Sequence, residues 1–212
     1  MDSAAILAGG QATRFGGRDK SALLFDGRTL LDRQLDALTT LTDDVMIVGG
    51  GARVDRARVD GARVDGARAF QASGPRTVDD IVPGCGPLGG LHAALTAARG
   101  DALLLVACDM PYLSPAFAAY LLSLAGDADI VVPRSERGYH PLCAVYTRAC
   151  LEPAAARLAE RRLKMRELVD SMRTRVVPIE EIRQFGDPER LLTNVNTPAD
   201  YAALEALQGH KL

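Results

Sequence analysis

Short apolar runs alternate along the chain with segments of helical periodicity. Three of these runs, at 3–8, 45–48 and 102–107, are each preceded by an aspartate and contain almost no polar side chains. Continuous apolar runs of this length are typical of strands that are buried on both faces of a sheet. The pattern therefore predicts a sheet with helices packed on both of its faces.

The spacing of apolar residues between these runs indicates helices. The leucines of residues 29–41 fall near one helical face, and residues 86–99 form a second apolar segment that starts with several glycines. Ser114 followed by Pro115 is typical of a helix N-cap with proline in the first turn. Alternation of this kind predicts an α/β protein, a three-layer α/β/α sandwich around a mostly parallel, Rossmann-like sheet.

The second half of the chain predicts some antiparallel pairing. Strands are expected around Ile130 and Val145, and about eight residues connect them. A parallel crossover needs a dozen residues or more, so this pair is expected to run antiparallel. Further elements are predicted as helices over 147–161 and 164–171, a strand over 175–179 and a helix that begins near Thr197.

Residues 51–68 break the pattern with a tandem pentapeptide repeat. A period of five matches neither a helix nor a strand, and it is far shorter than the repeats of stacked solenoids. We interpret the repeat as an expanded, flexible surface loop within a single domain that spans 1–212; a basic arm is the alternative.

Charge and composition exclude several classes of protein. The chain of 212 residues carries 25 basic and 27 acidic residues, a net charge of −2, so a nucleic acid is not expected as its main partner. No apolar run reaches about 18 residues, and the first residues lack a signal peptide's basic start, so we expect a cytoplasmic protein that does not span a membrane. The four cysteines form no C-x-x-C pair and are expected to be buried thiols.

Candidate chemistry starts where the first predicted strand ends. The sequence LAGGQATRFGGRDK, residues 7–20, supplies exposed backbone N–H groups at Gly9 and Gly10 and positive charge at Arg14 and Lys20. It lacks the glycine that precedes the lysine of a P-loop, and its glycine spacing is not that of a dinucleotide fingerprint. The segment is expected to hold phosphate at the carboxyl edge of the sheet; a tight turn with two solvated cations is the alternative.

Asp109 is expected at the same edge, because it follows the apolar run 102–107. A carboxylate in that position either caps the next turn or holds a divalent metal ion. Mg²⁺ in proteins commonly takes one or two carboxylates and completes its coordination with phosphate oxygens and water. A triphosphate held between Lys20 and a metal on Asp109 would be well neutralised.

Five motifs in this order resemble one family, the molybdenum cofactor guanylyltransferases, which are nucleotidyltransferases with a glycosyltransferase-A-like, nucleotide-diphospho-sugar transferase fold. They are LAGGQATRFGGRDK (7–20), PGCGPLGGLHAAL (83–95), ACDMPYL (107–113), HPLCAVY (140–146) and NVNTPADY (194–201). The resemblance implies transfer of GMP from GTP to molybdopterin, which forms molybdopterin guanine dinucleotide and pyrophosphate. The LAGG form, rather than LAAG, is typical of the guanylyl members.

The resemblance also implies roles for individual residues. In the family pattern the nucleotide is contacted by Leu7, Ala8, Gly9, Gly10, Lys20 and Asp80, with Asp79 as the alternative to Asp80. Asp109 binds both the nucleotide and Mg²⁺, and Asn196 assists the metal. Arg14 and Lys20 are expected to stabilise the charge of the reacting phosphates, together with the metal on Asp109.

The second substrate, the molybdopterin cofactor, is expected near Asn194 and Asn196. His140 and Lys164 are further candidates. The alternative for His140 is a satisfied, partly buried histidine, and for Lys164 the solvated end of a helix is the favoured interpretation. The resemblance also suggests molybdenum-insertion or molybdoenzyme chaperone proteins as recipients of the product. Two alternatives remain for the function: a cytidylyl- or other NTP transferase of the same fold, and a nucleotide-binding protein without catalysis.

Overall fold

A central mixed sheet organises the protein. The computed structural model describes residues 1–8, 24–25, 27–49, 74–197 and 199–202. The strands are β1 (Asp2–Leu7), β2 (Leu24–Phe25), β3 (Arg28–Thr29), β4 (Val45–Val48), β5 (Arg76–Val78), β6 (Ala102–Ala107), β7 (Ile130–Ser135), β8 (Gly138–Tyr139), β9 (Cys143–Thr147) and β10 (Thr174–Val177). The α-helices are α1 (Leu30–Thr39), α2 (Gly86–Ala97), α3 (Pro115–Ser123), α4 (Leu151–Ala159), α5 (Met165–Ser171), α6 (Ile179–Ile182) and α7 (Pro188–Leu191).

The strand order is β10-β7-β9-β6-β1-β4-β5, with β8 paired to β7. β1 runs parallel to both β4 and β6, and β4 runs parallel to β5. β9 runs antiparallel to its two neighbours, β6 and β7. The predicted α/β sandwich and the predicted antiparallel pair are therefore confirmed, while β2 and β3 form a separate two-stranded sheet.

Successive residues of the central strands feed two different cores. Ile6 and Leu104 pack on one face of the sheet, where α1 and α3 cover them with residues such as Leu38 and Phe117. Ala5, Leu103 and Leu105 pack on the other face, beneath α2, α4 and α5. Because both faces are covered, the strands contain almost no polar positions. The continuous apolar runs in the sequence reflect this three-layer arrangement.

Helix starts followed the sequence signals more closely than other boundaries. The Ser114 side chain accepts from the N–H of Phe117, as predicted for an N-cap. The helix predicted over 147–161 is shorter: Thr147 still belongs to β9, and a 3₁₀ turn at Arg148–Cys150 precedes α4. The strand predicted over 175–179 ends at Val177, because Pro178 caps α6 instead of continuing the ladder.

Three further predictions concern the cysteines, a membrane span and the pentapeptide repeat. The four cysteines are buried free thiols, as predicted. Among the described residues no helix is long and apolar enough to cross a membrane. The pentapeptide repeat at 51–68 lies outside the described residues.

The amino edge of the sheet is closed by a buried carboxylate. Asp44, directly before β4, accepts hydrogen bonds from Ser3 Oγ at 2.7 Å, from the N–H of Arg99 at 2.9 Å and from Arg76 Nη2 at 2.5 Å. Burial by itself raises the pKa of Asp44, but these three hydrogen bonds and the charge of Arg76 outweigh it and hold the pKa below its ordinary value. The network joins β1, β4, β5 and the segment before β6.

Replacement of this carboxylate should destabilise the fold. Asp44→Asn is expected to lower the free energy of unfolding by about 2 kcal/mol at pH 7, because Arg76 loses its charge partner in a partly buried position. The wild-type contribution is present above about pH 4, the ordinary carboxyl pKa, and is lost as the pH falls through the lowered folded-state pKa. Urea unfolding between pH 3 and pH 7 measures both effects.

The neighbouring exposed acid provides the control. Asp43→Asn removes the same charge one residue earlier, at an exposed position. It should leave stability within about 0.5 kcal/mol of wild type, as is usual for surface substitutions. Equal unfolding curves for the two variants would contradict the role assigned to Asp44.

Candidate active site

The carboxyl ends of β5, β4, β1 and β6 lie side by side and form the edge that carries the candidate site. Leu7 is paired with Ala107 in the β1–β6 register, and the N–H of Cys108 donates to the carbonyl of Leu7 at 3.1 Å. On the other side the N–H of Ala8 donates to the carbonyl of Val48 at 2.9 Å. The glycine-rich segment therefore leaves β1 directly beside the point where Asp109 follows β6.

The expected phosphate-holding segment is described only at its start. Leu7 and Ala8 are described, whereas Gly9, Gly10, Arg14 and Lys20 lie outside the described residues. The prediction that the two cations face Asp109 therefore stays a prediction. What is established is the origin of the segment, next to Cys108.

Asp109 is held in place by a segment 85 residues further along the chain. Asn194 Nδ2 donates to Asp109 Oδ1 at 2.8 Å, and the N–H of Val195 donates to the carbonyl of Asp109 at 2.8 Å. The NVN sequence thus contacts both the side chain and the backbone of the acid. Asp109, an expected metal ligand, and Asn194, an expected second-substrate residue, are therefore in direct contact.

The backbone around Asn196 is fixed by a helix cap. Asp200 Oδ2 accepts from the N–H groups of Asn196 and Thr197, and Thr197 Oγ1 accepts from the N–H of Asp200. This reciprocal arrangement satisfies N–H groups at the start of the helical residues 199–202. The start predicted near Thr197 is confirmed, and Asn196 stands in the turn between Asn194 and this helix.

The other end of the edge carries two adjacent acids with different surroundings. Asp79 is exposed, whereas Asp80 is half-buried next to α2. Burial raises the pKa of the Asp80 carboxyl, and the negative charge of Asp79 raises it further. Asp80 is therefore the acid that the fold encloses at this edge.

A glycine on α2 brings that helix close to Leu7 and Asp80. A Cβ atom on Gly90 would lie 2.7 Å from Leu7 Cδ2 and 3.8 Å from Asp80 Oδ1. A larger residue at position 90 would have to displace Leu7, the last residue of β1. Gly90 of the PGCGPLGG motif therefore serves helix–strand packing here, beneath the start of the glycine-rich segment.

His140 has a hydrogen-bond partner within its own hairpin. Its Nε2 lies 2.7 Å from Ser135 Oγ, on the turn that joins β7 to β9. Burial lowers the pKa of the imidazole, and the positive charge of Arg137 lowers it further. The ring is therefore neutral at pH 7, in keeping with the interpretation of a satisfied, partly buried histidine.

The basic segment between α4 and α5 is largely paired with acids of its own. Lys164 precedes α5, is 82% exposed and has its Nζ 3.9 Å from Glu167 Oε1. Arg162 contacts Glu160 and Glu167. Arg161 reaches across to the turn before α2, where its Nη1 is 3.6 Å from Cys85 Sγ. The segment lies against the PGCGPLGG turn, although Lys164 itself has the surroundings of a solvated helix end.

Gln34 contacts the turn that carries Asp109, although the sequence analysis did not predict it as a site residue. It lies on α1 with 2% of its surface exposed, and its Nε2 donates to the carbonyls of Ala107 and Met110. The available signal was a polar residue amid the leucines of an apolar helical face.

The oxygen donors at this edge fit Mg²⁺ better than a transition metal. The described residues contain no cluster of three or more His, Cys, Asp or Glu that could hold a metal by themselves. Asp109, with the side-chain amide of Asn194 in contact with it, supplies the hard oxygen ligand that Mg²⁺ accepts when phosphate and water complete the coordination. A metal shared with a nucleotide suits this arrangement.

Fold and edge together define an α/β protein of the nucleotide-diphospho-sugar transferase type, with its candidate site at the carboxyl ends of parallel strands. Residues 4–176 match the model of the MobA-like NTP transferase domain. The chain therefore belongs to the MobA-like NTP transferase family, and it is an enzyme of the nucleotidyltransferase class.

Similar proteins agree with this family. The probable molybdenum cofactor guanylyltransferase of Pelotomaculum thermopropionicum is 33% identical over 195 residues, 92% of this chain and 87% of that protein. The molybdenum cofactor guanylyltransferase of Desulfosudis oleivorans is 33% identical over 203 residues, 95% and 93% of the two chains. The crystal structure of molybdopterin-guanine dinucleotide biosynthesis protein A from Archaeoglobus fulgidus aligns with a TM-score of 0.77 at 22% identity, over 99% of both chains. The resemblance found from the motifs is confirmed.

Proposed function

We propose that the protein transfers GMP from GTP to molybdopterin, with release of pyrophosphate. The observation that carries the proposal is the β1–β6 pairing, which sets the origin of the LAGG segment beside Asp109. The names of the relatives support the choice of guanine nucleotide and of acceptor. The fold alone would suit several NTP transferases.

The proposed reaction exchanges one phosphoanhydride bond for another. An oxygen of the terminal phosphate of molybdopterin attacks the α-phosphorus of GTP, and the bond from that phosphorus to the bridging oxygen of the β-phosphate breaks. A phosphate monoester has a second pKa near 6 and is largely dianionic at pH 7, so the attack needs no general base. The proposed reaction therefore assigns no proton transfer to His140, which is hydrogen-bonded to Ser135.

The main requirement is to bring two polyanions together. Lys20 and Arg14, in the segment that follows β1, are proposed to hold the triphosphate. The lysine acts as a point charge, and the arginine binds two phosphate oxygens at once. Asp109, with Asn196 assisting, is proposed to hold Mg²⁺, which when bound neutralises the phosphates and the leaving pyrophosphate. Positioning and charge stabilisation then account for most of the catalysis.

The nucleoside end is proposed to lie towards β5. Leu7, Ala8, Gly9 and Gly10 would line the guanine and ribose side with backbone groups. Asp80 repels phosphate as a carboxylate and accepts hydrogen bonds, so its partner is a donor on the ribose or the base. The enclosed position of Asp80 favours it over the exposed Asp79.

The acceptor is proposed to approach from the side of the NVN turn. Asn194 contacts Asp109 directly, so a pterin phosphate near Asn194 and Asn196 would lie close to the metal. Lys164 and His140 are the further candidates, of which Lys164 would act only as a solvated cation. A molybdenum-insertion or chaperone protein would receive the product.

A panel of nucleotides tests the base and the acceptor together. With molybdopterin and Mg²⁺, GTP should yield pyrophosphate and a dinucleotide at least tenfold faster than ATP or CTP, and chromatography with mass detection identifies the product. Omission of molybdopterin controls for simple hydrolysis. Efficient transfer from CTP but not from GTP would make the protein a cytidylyltransferase.

Asp109→Asn tests the metal-bearing acid. The substitution should lower kcat at least a hundredfold, because loss of one transition-state charge contact costs about 3 kcal/mol. Pyrophosphate release measures the rate. Asp101→Asn, at the opposite end of β6 and 94% exposed, is the matched control and should remain active. Full activity of the Asp109 variant would remove the proposed metal role.

Asp80→Asn and Asp79→Asn decide which acid contacts the nucleotide. The Asp80 variant should raise KM for GTP about tenfold, the equivalent of one charge-assisted hydrogen bond, with a smaller change in kcat. The Asp79 variant should retain the wild-type KM. Steady-state kinetics with varied GTP measures both; the reverse pattern would transfer the contact to Asp79.

A further inference from the structure

A buried amide of the helix layer contacts the turn that carries Asp109. Gln34 lies on α1 with 2% of its surface exposed, and its Nε2 donates to the carbonyl of Ala107 at 2.7 Å and to that of Met110 at 3.1 Å. Both neighbours are acceptors, so only the NH₂ group can face them and the amide orientation is determined.

These two carbonyls flank Asp109 on both sides. Ala107 is the last residue of β6, and Met110 follows the acid. Other contacts hold the same turn from the sheet and from the NVN segment, through Cys108 and Asn194. Gln34 contacts the backbone on both sides of the carboxylate at once.

Burial of this amide is not explained by packing. The Oε1 atom of Gln34 is buried and has no hydrogen-bond partner among the described residues. An unmet buried acceptor costs free energy, whereas an apolar residue of the same size would suit the leucine-rich face of α1. The side chain therefore serves the turn more than it serves the core.

We propose that Gln34 is a positioning residue for metal binding. Its two hydrogen bonds set the turn 107–110 so that the Asp109 carboxylate meets the metal in the correct orientation. The inference rests on the proposed function, since it takes Asp109 as the metal ligand. Partners that orient a metal ligand typically change metal affinity by about 10–100-fold when they are lost.

Gln34→Met removes both hydrogen bonds while it keeps an unbranched side chain of similar volume. Leu38→Ala, one helical turn further on α1 at a fully buried position, is the matched control for loss of stability. The probe is Mn²⁺, titrated against each protein together with a GTP analogue whose α–β bridge is methylene. The electron paramagnetic resonance signal of free Mn²⁺ gives its Kd, and thermal unfolding gives the stability of each variant.

Gln34→Met should raise the Kd for Mn²⁺ about tenfold, and the Mg²⁺ concentration for half-maximal activity should rise by a similar factor. Leu38→Ala should lower the melting temperature at least as much and leave the Kd within twofold of wild type. An unchanged Kd in Gln34→Met, or an equal rise in Leu38→Ala, would overturn the proposal. Gln34→Asn, too short to reach both carbonyls, replaces Gln34→Met if that variant does not fold.

Analogues of ATP and CTP separate this test from the choice of nucleotide. If the wild-type protein binds one of these instead of the GTP analogue, the guanylyl assignment fails. The comparison of Gln34→Met with Leu38→Ala is then made with the nucleotide that binds, and it still decides the role of Gln34.

Discussion

The parallel pairing of β1 with β6 is the constraint on which the rest of the protein depends. The register runs from Asp2 opposite Ala102 to Leu7 opposite Ala107, so both strands end at the same level. Residues of both strands pack alternately into two cores, and a slip of one position would exchange the two sets. The packing of two apolar cores therefore also determines that the glycine-rich segment starts beside Asp109.

The amino and carboxyl edges of the sheet differ in what their side chains do. The amino edge is closed by Asp44, whose buried hydrogen bonds join neighbouring strands and favour a fixed register. The carboxyl edge carries Asp80, Asp109 and Asn194, which are held by glycine packing and by contacts from distant segments. The candidate site therefore lies on the loops at one edge, while the opposite edge stabilises the strands beneath them.

Elements with a strong local pattern were predictable. β1, β4 and β6 are continuous apolar runs, and α3 starts where a capping serine precedes proline. Elements without such a pattern were not: β5 has only three residues, Arg76–Val78, and α6 and α7 have four each. Their conformation depends on neighbours in space, which outweigh weak local preferences over so few residues.

The sequence by itself determined the layers of the fold and the family and supplied the candidate groups for the site, because apolar periodicity, caps and motifs are local properties of the chain. Only the tertiary structure decided which groups meet. Asn194 reaches Asp109 across 85 residues, and Gln34 reaches Ala107 across 73. The structure also separates the enclosed Asp80 from the exposed Asp79, although the two are identical and adjacent in sequence. Such distinctions arise from strand register and from the approach of helices to the sheet, and both depend on the whole fold.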